Sequence, residues 1–217
     1  VYTLEHATEP QRFFSAGADG IVAEWDSHTG EARGILQAPA PIYALRRVPG
    51  REWLLVGQND GGLHVVDLAS RQVLKSARAH ADAIFDLQLL PGGTGFVAGS
   101  RDRSFSVWTF DPLECGFTAQ ATEGSIRRMA FSPDGRYFAV GSSDCRIRVY
   151  EGENLEKIAD WAAHDISVFA LLFSPCGQWL LSGSRDAHLK VWHATGAAPF
   201  ERELAHDLVA HMFAIND

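Results

Sequence analysis

Residues Ile126–Trp161, IRRMAFSPDGRYFAVGSSDCRIRVYEGENLEKIADW, read as four short strands in succession. IRRMAF is one strand, SPDG a turn, RYFAVGS a second strand, SD a tight turn, CRIRVY a third and LEKIADW a fourth. Apolar residues alternate over runs of this length, and Gly, Pro, Asp and Ser punctuate them, which is the mark of strands joined by hairpins. No stretch of the chain argues for a helix.

The same unit is copied along the sequence. An aspartate returns at Asp19, Asp60, Asp102, Asp144 and Asp186, at intervals of 41, 42, 42 and 42. Six residues beyond it stands Trp25, Val66, Trp108, Tyr150 or Trp192, and eighteen before it stands Val1, Ile42, Ile84, Ile126 or Val168. A fixed period of this size means one supersecondary unit repeated. Pro49, Pro91, Pro133 and Pro175 fall seven residues after their strand starts, where a fixed φ seeds a turn and a missing N–H is harmless. VYTL at Val1 aligns with IYAL at Ile42, IFDL at Ile84, VFAL at Val168 and MFAI at Met212. The expectation is an all-β chain of five four-stranded units starting near 1, 42, 84, 126 and 168, with an extra inner strand, Met212–Asn216, opening an incomplete sixth.

A four-stranded unit of this length is the blade of a β-propeller. FSPDG at Phe131–Gly135, FSPCG at Phe173–Gly177, SGSRD at Ser182–Asp186 and KVW at Lys190–Trp192 resemble the WD-repeat family, and the resemblance covers the whole chain. It implies a single propeller domain over 1–217. Because seven blades is the commonest number in such proteins, the chain is expected to be part of a larger ring whose open blade edges can self-associate. The resemblance also implies a buried, hydrogen-bonded set of histidine, serine, aspartate and tryptophan in a blade. His164, Ser182 or Ser184, Asp186 and Trp192 match it, as do His80, Ser100, Asp102 and Trp108. The first unit has Asp19 and Trp25 without a histidine, the second has Pro39 near the slot and Val66 for tryptophan, and the fourth has Glu123 and Tyr150. A complete set is therefore expected only in the third and fifth units.

Histidine, serine and aspartate together invite a catalytic reading, since imidazole and carboxylate can activate a hydroxyl. A catalytic site is built once, however, whereas this set recurs at a fixed period with tryptophan as a member. Its expected role is to satisfy buried polar groups. Trp53, Trp161 and Trp179 lie in strand patterns and read as packing residues.

Function is expected at another register. Immediately after each strand start come Tyr2, Tyr43, Phe85, Arg127, Phe169 and Phe213. Alternation along a strand turns these away from the buried start residue, toward the channel or mouth of the propeller. The resemblance implies that this neighbourhood binds peptides and protein partners, and aromatics are enriched among interface anchors. Asn59, Arg101, Ser143 and Arg185, each beside the periodic aspartate, would edge the same face. The reading is a non-enzymatic scaffold for protein or peptide partners. The alternative is a propeller enzyme of the metal-assisted hydrolase or lactonase type with its site in the central channel. That chemistry needs converging carboxylates, and the inner strands offer aromatics, Arg127 and Asp86 instead.

Composition agrees with a globular body: 46% hydrophobic and 21% charged residues in 217 allow a sizeable core, and no apolar run is long enough to span a bilayer. A net charge of −8 argues against broad nucleic-acid binding, which wants basic surface. Cys115, Cys145 and Cys176 are odd in number and non-equivalent in position, which points to a reducing, cytoplasmic setting. Among nine histidines, including His188, His206 and His211, no reliable ligand spacing appears, so neither a metal nor a cofactor is expected.

Overall fold

The computed structural model describes residues 1–194 and 204–209. The first sheet consists of β1 (Thr3–His6), β2 (Arg12–Ala16), β3 (Ile21–Asp26) and β4 (Ala32–Gln37), the second of β5 (Ile42–Val48), β6 (Trp53–Gln58), β7 (Gly62–Asp67) and β8 (Gln72–Arg78). The third holds β9 (Ile84–Leu89), β10 (Gly95–Ser100), β11 (Ser104–Phe110) and β12 (Leu113–Gln120), the fourth β13 (Ile126–Phe131), β14 (Tyr137–Ser142), β15 (Arg146–Glu151) and β16 (Lys157–Ala162). The fifth holds β17 (Val168–Phe173), β18 (Trp179–Ser184), β19 (His188–His193) and β20 (Leu204–Val209). Each sheet is an antiparallel meander in chain order. Pro49, Pro133 and Pro175 sit in the first hairpin turns of their sheets, and Pro91 opens a single 3-10 turn, Pro91–Gly93. Strand Met212–Asn216, with Phe213, lies outside the described residues.

The chain divides into two compact units, one of Val1–Leu89 and Gly93–Ala119, the other of Leu90–Gly92 and Gln120–Asp217. In the first unit, Phe14, Ala16 and Val22 pack against Ile42, Leu45, Leu54 and Val56. On the other side of the second sheet, Leu55, Leu63 and Val65 pack against Ile84, Leu87, Phe96 and Trp108. Successive residues of β6 thus serve opposite cores, which is why the middle strands read as unbroken apolar runs: a sheet buried on both faces has no polar side to show. In the second unit, Ala139, Ile147 and Val149 pack in the same way against Val168, Leu171, Leu180 and Trp192.

Close stacking fixes one glycine register. A Cβ on Gly57 would come within 2.7 Å of Ile84 Cγ2, and one on Gly141 within 2.8 Å of Val168 Cγ1. Both glycines stand three residues before the periodic aspartate. The start residues Ile42, Ile84, Ile126 and Val168 are completely buried, whereas Val1 is 85% exposed. β1 begins at Thr3 rather than at Val1, and its Leu4 is exposed as well.

Candidate functional site

The five aspartates all do one thing alike. Oδ1 of Asp19, Asp60, Asp102, Asp144 and Asp186 accepts the amide two residues on, from Ile21, Gly62, Ser104, Arg146 and His188, at 2.9–3.1 Å. This Asx turn closes the hairpin between the second and third strands of each sheet. The second oxygen distinguishes them. Asp102 Oδ2 accepts from Ala81 N at 3.0 Å and meets His80 Nδ1 at 3.0 Å, and Asp186 Oδ2 accepts from Asp165 N at 3.1 Å and meets His164 Nδ1 at 2.9 Å. These contacts tie the turn to the loop that enters the sheet from the preceding one.

In the fifth sheet the chain of bonds runs on through Ser182. Its Oγ lies 2.8 Å from His164 Nε2 and accepts Trp192 Nε1–H at 2.9 Å. Asp186 can only accept, so a neutral His164 donates Nδ1–H to it, and the bare Nε2 then accepts the Ser182 hydroxyl. Burial pushes the His164 imidazole below its ordinary value, with Asp186 opposing in part, in agreement with that protonation. Ser184 stands apart from this chain, donating to Ile166 O at 3.1 Å.

The third sheet corrects one assignment. Ser100 does not join His80 to Trp108; it donates to Asp82 O at 2.9 Å and accepts from Asp102 N at 3.1 Å. The linking serine is Ser106, 2.8 Å from His80 Nε2 and 2.9 Å from Trp108 Nε1. Ser106 on β11 pairs across the ladder with Ala98, and Ser182 on β18 pairs with Lys190. Directly opposed side chains lie close together, so either strand can deliver the hydroxyl to the same place. The rung is polar in the other sheets too: Ser15 opposite Ala23, His64 opposite Val56, Arg148 opposite Val140. Ser15 accepts Trp25 Nε1–H at 2.8 Å. His64 meets Gln58 Oε1 at 2.7 Å and Ser76 Oγ at 2.9 Å.

Arg148 is the replacement that the sequence reading missed. Only 4% exposed, it pairs with Asp144 Oδ2 at 2.8 Å and Asp160 Oδ2 at 3.4 Å and donates to Ser142 Oγ at 3.2 Å. Burial works against ionisation of Asp144, but Arg148 and Ser142 outweigh it and hold the carboxyl below the usual range. Tyr150, in the tryptophan position, donates to Ala121 O at 3.3 Å, and burial pushes its phenol up to about 12. The fourth sheet therefore has a complete polar set of a different composition. Comparing the residues four before and four after each aspartate would have singled out Arg148, though not its pairing with Asp144 and Asp160.

The sets of the third and fifth sheets are closed to a substrate. The His80 and His164 side chains are fully buried, and Ser106 and Ser182 are nearly so. Trp53 meets Phe110 edge-on at 5.8 Å, Trp161 meets Trp192 at 5.3 Å and Trp179 lies against His193 at 4.2 Å, so all three pack as expected.

The accessible constellation is the set that follows the strand starts. In four sheets the ladder between first and second strands slips there: Ile42 pairs with Gln58 and Ala44 with Gly57, leaving Tyr43 unpaired, and Phe85, Arg127 and Phe169 are skipped likewise. Each is the extra residue of a β-bulge, a device that re-aims a side chain at a sheet edge. All four are half-buried, and Tyr2 is 57% exposed. In the first unit Tyr2, Tyr43 and Phe85 form a row with ring centroids 4.9 and 5.6 Å apart. In the second, the guanidiniums of Arg127 and Arg185 lie 5.3 and 5.8 Å from the Phe169 ring. Arg101 is exposed and paired with Asp82 at 3.2 Å. Asn59 is half-buried, its amide donating to Pro41 O at 2.9 Å. Asp86 is buried, its carboxylate taking the Leu87 amide and the Gln88 side chain. Among the described residues no three His, Cys, Asp or Glu side chains are placed to hold a metal ion, and no described helix is long and apolar enough to cross a membrane.

A repeat that closes its hairpins with aspartate and stacks its sheets through the strand starts is a propeller blade. The WD domain, G-beta repeat family matches residues 71–109, 113–151 and 155–193, and the chain belongs to that WD40 family. Each match opens on the fourth strand of one blade and closes on the third strand of the next, so the sequence repeat and the blade are offset by one strand. No match is found among curated proteins. WD40 repeats in general serve as protein-interaction scaffolds.

Proposed function

We propose that this chain is a non-enzymatic scaffold that captures a protein or peptide partner through these side chains, Tyr2, Tyr43 and Phe85 in one unit and Arg127, Phe169 and Arg185 in the other. One observation carries the reading: the side chain at each of the four first-strand bulges is aromatic or cationic, is partly exposed and touches its neighbour within its unit. Rigid aromatic surface fixed by a backbone irregularity is well suited to anchor a partner at small entropic cost. The unpaired Cys115, Cys145 and Cys176 support placing the protein in a reducing, cytoplasmic setting.

The test uses Tyr43→Ala and Phe169→Ala in the full chain against a partner captured by the parent protein. Because the rings are half-buried and in contact, each truncation is expected to cost about 1–2 kcal/mol of stability, while capture falls at least tenfold. Unchanged capture by both folded variants would overturn the assignment of these side chains.

A further inference from the structure

A pocket of about 200 Å³ opens between the first and second blades, formed in part by the β1–β2, β5–β6 and β7–β8 loops at the ends away from the aspartate turns. Arg12, Arg33, Arg47 and Arg71 line it, with Glu24 and Glu52 among them. Arg12 is already committed, to Glu9 at 2.8 Å and Glu24 at 3.5 Å. Arg47 interacts electrostatically with Glu5, but its Nε is buried and has no hydrogen-bond partner.

The register shows how unusual Arg47 is. It pairs with Leu54 on β6, and at the same rung the later blades carry Leu89 opposite Phe96, Phe131 opposite Phe138 and Phe173 opposite Leu180. Leu89 packs on the core between the second and third blades, and Phe173 belongs to the core between the fourth and fifth. In the seam between the first two blades, a guanidinium stands where an apolar plug would close the gap. Phe14, Ile35 and Leu68 contribute apolar lining. A buried donor without an acceptor is costly, and an arriving oxyanion removes that cost.

We propose that this seam binds a compact oxyanion of the phosphate class carried on a small molecule, with Arg47, Arg33 and Arg71 as its ligands. Three guanidinium forks offer more donors than the two oxygens of one carboxylate can accept, whereas a phosphate presents enough acceptors for all three. Glu9, Glu24 and Glu52 in the lining repel a long polyanion and leave room only for a short one. The site is independent of the bulge side chains.

Titration calorimetry and thermal unfolding of the full chain with sodium pyrophosphate test it, with sodium chloride at equal ionic strength and citrate as comparison arms. Pyrophosphate is expected to bind and raise the unfolding midpoint, and chloride to do neither. Arg47→Leu, which gives this rung the side chain of the third blade, is expected to keep the fold and weaken pyrophosphate binding by about tenfold or more. Arg71→Gln, an exposed loop change, supplies a second variant that weakens binding without touching the core. No binding by the parent chain, or parent-like binding by both variants, overturns the site; citrate binding more tightly than pyrophosphate overturns the phosphate assignment.

Discussion

A single aspartate, copied five times, carries different weight in each copy because only one of its two oxygens is spoken for by the local turn. Asp186→Ala orphans the buried His164 as well as the turn amide, a loss of roughly 1–3 kcal/mol for each group left unpaired. Asp144→Ala is expected to be worse, on the order of 3–5 kcal/mol, because it leaves a buried guanidinium with the more distant Asp160 and the neutral Ser142 hydroxyl. Asp60→Ala, which removes a bond to the Gly62 amide at an exposed turn, is expected to cost least. Urea denaturation of the three variants gives the order, and equal losses would refute it. His164 sets a pH dependence. Its folded pKa lies below the ordinary 6.5, so the unfolded chain takes up the proton first and stability falls as pH drops below about 6.5. Burial opposes ionisation of Asp186, but the His188 and Asp165 amides and His164 outweigh it, so the stability from that carboxylate is lost only at lower pH, as pH falls below 3.8 through its folded value. Unfolding midpoints between pH 8 and 5 check the first step: the decline should be shallower in His164→Gln.

At the level of the strand, the periodic residues were legible and the irregularities were not. The first-strand starts of the second to fifth sheets, the turn prolines and the aspartate hairpins fall where the pattern puts them, since each follows from local alternation and turn chemistry. The bulge at Tyr43, Phe85, Arg127 and Phe169 has no such local mark, because it exists only as a slip against the partner strand. It changes the reason these residues are accessible: they are displaced from the ladder rather than merely alternating with a buried neighbour. The glycines before the aspartate belong to the same scale, since the next blade's start residue occupies the space of their absent Cβ. Gly141→Ala is expected to destabilise by about 1–3 kcal/mol through overpacking. Gly34→Ala, with nothing within 4 Å, is the control and should be neutral or slightly stabilising. Equal midpoints for the two would show that the contact with Val168 relaxes freely.

For the whole chain, the exposed side of the first blade leads to a further prediction. Val1 and Leu4 are 85% and 63% exposed, whereas Leu45 and Leu87, at the Leu4 register of the next two blades, are buried against a preceding sheet. Apolar surface and a free strand face are templates for association, so sedimentation of this chain should depend on concentration, and Leu4→Lys should suppress that dependence. A monodisperse species unaffected by the substitution would contradict it. The sequence by itself determined the repeat, the four strands of each unit, the aspartate turns and the WD40 kinship, because a unit copied at a fixed period must satisfy the same local hydrogen bonds and the same alternating burial each time. Tertiary structure alone decided that Ser106 rather than Ser100 completes the third blade, that Arg148 serves the fourth, and that Arg47 leaves a seam unplugged. Those outcomes depend on which side chains face one another across a ladder or between stacked sheets, and that proximity joins residues that sequence spacing does not rank together.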